Sequence, residues 1–138
     1  MRRSTGTYNP IETALGRPGY YLAQFRTFEV DVPSADFPAG PMDFWYESLL
    51  YFQRAPSGAI AATGDVMVTA GELNAVLTIL LKNHFQIEAI HNHMIDEQPR
   101  LFFVHYWKIA VPQDLADGLK TMLAAIHTRA PSANGETK

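Results

Sequence analysis

The chain has no cysteine, which excludes disulfide frameworks, thiolate metal sites, iron–sulfur clusters and cysteine nucleophiles. It also has little charge. Only 18% of its 138 residues are charged, and 11 Lys and Arg against 14 Asp and Glu leave a net charge of -3. That balance supplies no electrostatic footprint for nucleic acid or an anionic membrane, so neither is an expected partner. No apolar run approaches the ~18 residues needed to cross a bilayer. Met1-Arg2-Arg3 leads into Thr7, Tyr8, Asn9 and Pro10 rather than an apolar segment, so no signal peptide or lipobox is read and the expected location is cytoplasmic. Gly16-Arg17-Pro18-Gly19 lacks the spacing and strand-to-helix setting of a phosphate loop, and no G-x-S-x-G setting provides a hydrolase nucleophile.

Apolar material, by contrast, is ample: 47% of residues are hydrophobic and 12% aromatic. One domain over residues 1–138 is expected, with an ordered core over about 8–129 and a flexible polar tail over 130–138. Asn9 to Gly16 reads as a short helix capped at Asn9, with Pro10 in its first turn and a closing glycine. Tyr20 to Val32 alternates like a half-buried strand, and the proline-rich stretch from Pro33 to Asp43 reads as a surface loop. Trp45–Arg54 and Ala59–Val68 read as two strands around the turn at Ala55-Pro56-Ser57-Gly58. Thr69-Ala70-Gly71-Glu72 fits a capping box, after which Leu73, Val76, Leu77, Leu80 and Leu81 recur at helical spacing. Phe85–Ile95 and Arg100–Ile109 suggest an antiparallel hairpin, and Pro112 opens a helix with the stripe Leu115, Leu119, Met122, Leu123 and Ile126. The resulting class is α+β, a two-layer sandwich of a mainly antiparallel sheet with helices on one face, containing a ferredoxin-like β-α-β-β-α element.

Three of the five histidines fall on the expected hairpin. His91 and His93 stand two apart on a strand and so project to one face. His105 joins that face if the pairing with the neighbouring strand has even parity, whereas an odd register separates them. In the even register the rings stand among Phe103, Trp107 and aliphatic neighbours. Three neutral imidazoles in such a hollow hold Zn, Cu or Fe at ~2.0–2.1 Å (the Zn–N distance), with open positions for water or substrate. Without a metal they serve as general acid and base near neutral pH. Glu88 lies on the opposite face, which leaves Glu47, Asp65 and Glu72 as alternative carboxylate partners. Glu72 is accounted for by the capping box, and Asp65, following Gly64, reads as a turn or bulge residue. His84 and His127 fall at helix ends, near free carbonyls.

Several runs together have the look of a family. Gly64-Asp65-Val66-Met67-Val68, Glu72-Leu73-Asn74-Ala75-Val76, Glu88-Ala89-Ile90-His91-Asn92-His93-Met94 and Pro99-Arg100 through His105 appear in an order that resembles the LppY/LpqO family of uncharacterised proteins. Ile11 to Gly19 resembles that family's opening helix and turn, so the likeness spans about residues 11 to 126. Two departures stand out: Pro33-Ser34-Ala35-Asp36-Phe37 lacks an Arg that the family commonly carries, and Tyr106-Trp107-Lys108 replaces a Gly-His-Gly run. The resemblance implies a layout that retains His91, His93 and His105, and no particular reaction. Some members look like lipoproteins with a lipobox Cys, which this sequence does not have.

The expected function is a small metal-binding protein, a metal-dependent enzyme acting on a small apolar or aromatic molecule. Its site is His91, His93 and His105, with Asn92, Tyr106, Trp107, Phe103 and Glu47 as outer contacts or pocket walls. The alternatives are a metal-free His acid–base isomerase or cyclase, and a non-catalytic ligand-binding or dimerisation module. A homodimer is expected in each case, because a one-sided sheet needs covering.

Overall fold

A computed structural model describes residues 6–35 and 46–131. Most of the expected proline-rich loop and nearly all of the expected tail lie outside the described residues. Helix α1 (Asn9–Leu15) precedes strands β1 (Tyr20–Leu22), β2 (Thr27–Pro33), β3 (Glu47–Arg54) and β4 (Ile60–Thr69); helix α2 (Ala70–Lys82), strands β5 (Gln86–Asn92) and β6 (Leu101–Ala110) and helix α3 (Pro112–Ala124) complete the order. The strands form one open sheet in the order β1-β2-β3-β4-β6-β5, with every neighbouring pair antiparallel. Since β4 and β5 each run against β6, they are parallel to one another with β6 between them. This is the split βαβ arrangement that the β4-α2-β5-β6-α3 order implies.

Period-two alternation decides which side of the sheet each residue takes. Phe28, Val30 and Val32 on β2, Leu50 and Phe52 on β3, Ile60, Ala62, Val66 and Val68 on β4, and Val104 and Tyr106 on β6 are all buried toward the helices. Helix α3 meets them with Leu115, Leu119 and Met122, each fully buried, and packs against both α1 and α2. Helix α2 starts at the Thr69/Glu72 capping box and buries Val76 and Leu80, while Leu81 stays exposed at its end. Helix α1 is entered from Tyr8, without a side-chain cap from Asn9, and closes at Gly16 with φ of 64°.

Two elements depart from the sequence pattern. The single strand expected from Tyr20 to Val32 is a hairpin: a 3-10 turn over Ala23–Phe25 and Arg26 at φ of 51° reverse the chain, pairing Tyr20 with Glu29. On β5 the register shifts between Ile87 and Ala89, so Glu88 is an extra residue in a bulge. Beyond the bulge, Ala89 pairs with His105 and His91 with Phe103. Parity is even, and His91 and His105 are diagonal neighbours on the face that carries no helices.

Candidate functional site

The odd-numbered residues of β4, β6 and β5 build a chain of contacts across the open face. Asp65 on β4 lies directly opposite His105 on β6, and its Oδ1 is 2.7 Å from His105 Nδ1. His105 Nε2 is 2.8 Å from His91 Nε2, with the two rings 27° from coplanar and their centroids 4.9 Å apart. His91 Nδ1 in turn lies 3.1 Å from the Asn92 carbonyl oxygen. Each of these contacts needs one proton, since Asp65 and the Asn92 carbonyl only accept and two imidazole nitrogens cannot face each other bare. Two neutral imidazoles bring two protons to three contacts. A third proton shared between the rings, balanced by Asp65, would fill all three contacts.

His93 goes elsewhere. Its Nδ1 sits 2.7 Å from Glu97 Oε1, with both side chains about nine-tenths buried. Glu97 Oε2 accepts from the Met94 and Leu101 backbone N–H groups at 3.3 Å each. The pair fastens the β5–β6 connection. Phe103 stands between the two environments, its ring 5.8 Å from that of His91 and 5.6 Å from that of His93. Thus the three expected site histidines share one face, but only His91 and His105 meet. Among the described residues, no group of three or more His, Asp or Glu side chains is placed to hold a metal ion.

Of the expected outer contacts, Phe103 and Trp107 lie on the open face. Tyr106 does not: it alternates to the helix side, is fully buried and packs edge-on against Phe85 at 5.3 Å. Its hydroxyl is buried with no hydrogen-bond partner among the described residues, and burial raises its pKa well above the ordinary phenol value. Asn92 reaches His91 through its backbone carbonyl alone, because its even position turns its side chain to the other face. Glu47 opens β3 opposite Pro33 and adds negative charge near Asp31 and Tyr51.

Two functional groups escape a local reading of the sequence. Asp65 is mid-strand rather than in a turn, and the signal that could have found it is parity: it shares the odd face with His105 once those strands are paired. The second is a buried carboxyl pair at i, i+2 on β2, Glu29 and Asp31, exposed by 9% and 6%. The Tyr20 hydroxyl bridges them, hydrogen-bonding to Glu29 and, at 2.9 Å, to Asp31 Oδ2. Burial, then a hydrogen bond and the charge of Glu29, push the Asp31 carboxyl up to about 8, so Asp31 carries a proton at neutral pH.

Beside the relay, the same face opens into a cleft of about 450 Å³ lined by Leu22, Phe25, Glu29, Tyr51, Thr63 and Trp107 among others. Thr63 and Trp107 are paired across β4 and β6, two residues along from Asp65 and His105 and on the same side.

A family model described as a Domain of Unknown Function (DUF1259) matches residues 9–125 of the chain. No curated protein matches it, and no solved structure does.

Proposed function

The chain belongs to the family described as the Domain of Unknown Function DUF1259, and from that premise we propose that it is an acid–base enzyme acting on a small molecule through His91, His105 and Asp65. The observation that carries this is the unbroken Asp65–His105–His91 line of contacts at 2.7 and 2.8 Å on an open sheet face. Asp65 orients His105 and balances the charge of the imidazolium, as a carboxylate does for a catalytic imidazole. His91 is the exposed outer ring and exchanges the proton with substrate. The finer likeness to the LppY/LpqO proteins bears on the layout alone, with Gly64-Asp65, His91 and His105 all within the motifs that resemble theirs.

A second reading rests on the same two Nε2 atoms facing one point. A divalent metal in place of the shared proton would be held by His91 and His105, with Asp65 fixing His105 through Nδ1 in the familiar carboxylate–histidine–metal pattern. In either reading His93 keeps its structural partner. Metal analysis by mass spectrometry on untagged protein separates the two readings. About one equivalent of metal that is lost in both His91→Ala and His105→Ala selects the metal site. Metal-free protein whose two rings are hydrogen-bonded to each other selects the proton site, and metal-free protein in which they are not contradicts both.

We expect a second copy of the chain to cover the exposed β5 edge, where Ile90 is 47% and the nearby Ile95 86% exposed. Light scattering at micromolar concentration then gives the mass of a dimer; a monomer contradicts this part of the proposal.

A further inference from the structure

The cleft beside the relay has walls of one kind and a charge of one sign. Leu22, Phe25, Tyr51 and Trp107 supply an apolar, largely aromatic enclosure. The threonine donors in the lining are already used. Thr27 Oγ1 donates to the Phe25 carbonyl at 2.9 Å, Thr63 Oγ1 donates to the Tyr106 carbonyl at 2.7 Å, and Gln53 Nε2 reaches the Phe25 carbonyl at 3.4 Å. The lining then offers one carboxylate, Glu29, beside the Tyr51 hydroxyl and the Trp107 indole N–H as neutral polar groups. No Lys, Arg or His lines the cleft among the described residues. The surroundings deepen the negative potential: Tyr51 is pushed up to about 12 by burial and then by nearby carboxylates, Glu29 first and Asp65 after it.

We propose that this cleft binds a small organic ammonium compound with an aromatic or branched aliphatic body, its N–H groups donating to Glu29 and its charge lying beside the Tyr51 and Trp107 rings. A carboxylate or phosphate ligand would meet the charge of Glu29 with no Lys, Arg or His in the described lining to offset it. A neutral apolar ligand would fill the walls and gain nothing from that charge. Because Thr63 and Trp107 adjoin Asp65 and His105 on the same two strands, the bound amine is within the reach of the relay. As the substrate class of that relay the inference rests on the acid–base reading; as a ligand site it is tested by binding alone.

The test is calorimetric titration of the full chain with phenethylamine, 2-phenylethanol and 3-phenylpropionate, which share a body and differ in the head group. The amine is expected to bind, the alcohol to bind about tenfold or more weakly, and the acid to show no binding. Glu29→Gln is expected to lower amine affinity by about tenfold to a hundredfold, the value of a charge-assisted hydrogen bond, and to leave the alcohol unchanged. Since Glu29 also holds Tyr20, Trp107→Ala serves as a second variant at a residue 39% exposed, and it is expected to weaken amine and alcohol alike. Absence of amine binding at millimolar concentration, equal binding of the acid, or amine affinity indifferent to both variants overturns the proposal. Absence of a hydrogen bond between His91 and His105 would sink the relay and leave these affinities untouched, so the two failures are distinguishable.

Discussion

Gly64 and Asp65 are consecutive residues of β4 and therefore face opposite sides of the sheet. Asp65 holds His105 on the open side. Gly64 makes room on the helix side for Tyr106, its partner across the ladder: a Cβ there would lie 2.5 Å from the Leu49 carbonyl oxygen and 2.7 Å from the Tyr106 hydroxyl. The two residues thus serve core and site from one point in the chain. Gly64→Ala should destabilise the protein by about 1–3 kcal/mol, because a carbonyl in the ladder cannot move aside cheaply. Urea denaturation checks this, and wild-type stability in the variant would contradict it. Asp65 was illegible locally for the same reason. A glycine before an acid reads as a turn, and the tyrosine that requires the glycine lies on a strand far along the chain. His93 shows the converse: its strand phase was legible, but its capture by Glu97 depends on how the connection folds back.

At the scale of elements, what is encoded within a few residues of itself was readable. The capping box of α2 is such a case: Glu72 Oε1 accepts from the Thr69 N–H at 2.8 Å. Its other oxygen adds a contact that no local pattern reveals, accepting from the His127 backbone N–H at 2.8 Å and tying the segment after α3 to the start of α2. Removing both in Glu72→Ala should cost about 1–3 kcal/mol through the lost cap and the orphaned N–H groups. Thermal melting monitored by circular dichroism gives the answer, and an unchanged melting temperature would count against the double role. The turn between β1 and β2 was not readable, because Arg26 adopts the left-handed region where glycine or asparagine usually signals it. The bulge at Glu88 has the same character. It shifts the phase of β5, and only the parity beyond it keeps His91 on the face of His105.

Across the whole molecule, the helices segregate apolar residues to one side of the sheet and leave the other with a half-buried set of ionisable groups from five of the six strands. That division was legible from alternation and from the two helical stripes; the pairing of particular acids and imidazoles was not, because it depends on sheet order. One consequence is a pH dependence. The folded Asp31 carboxyl, at about 8, lies above its ordinary value of 3.8, so between those values the unfolded chain releases a proton that the folded chain keeps. Stability therefore falls as pH rises from about 4 to about 8, and this contribution is flat outside that window. Asp31→Asn retains the shape without the titration. Its urea midpoint should gain on the wild type between pH 5 and pH 8, and parallel profiles would contradict the assignment.

The shared proton between His91 and His105 is the claim on which the functional account stands, and imidazole nitrogen NMR reads it directly. The account predicts a hydrogen on His105 Nδ1 and a hydrogen bond between the two Nε2 atoms, with both rings perturbed by Asp65→Asn while His93 stays unchanged. Two rings with no hydrogen bond between them, and His91 resonances indifferent to His105→Gln, would contradict it.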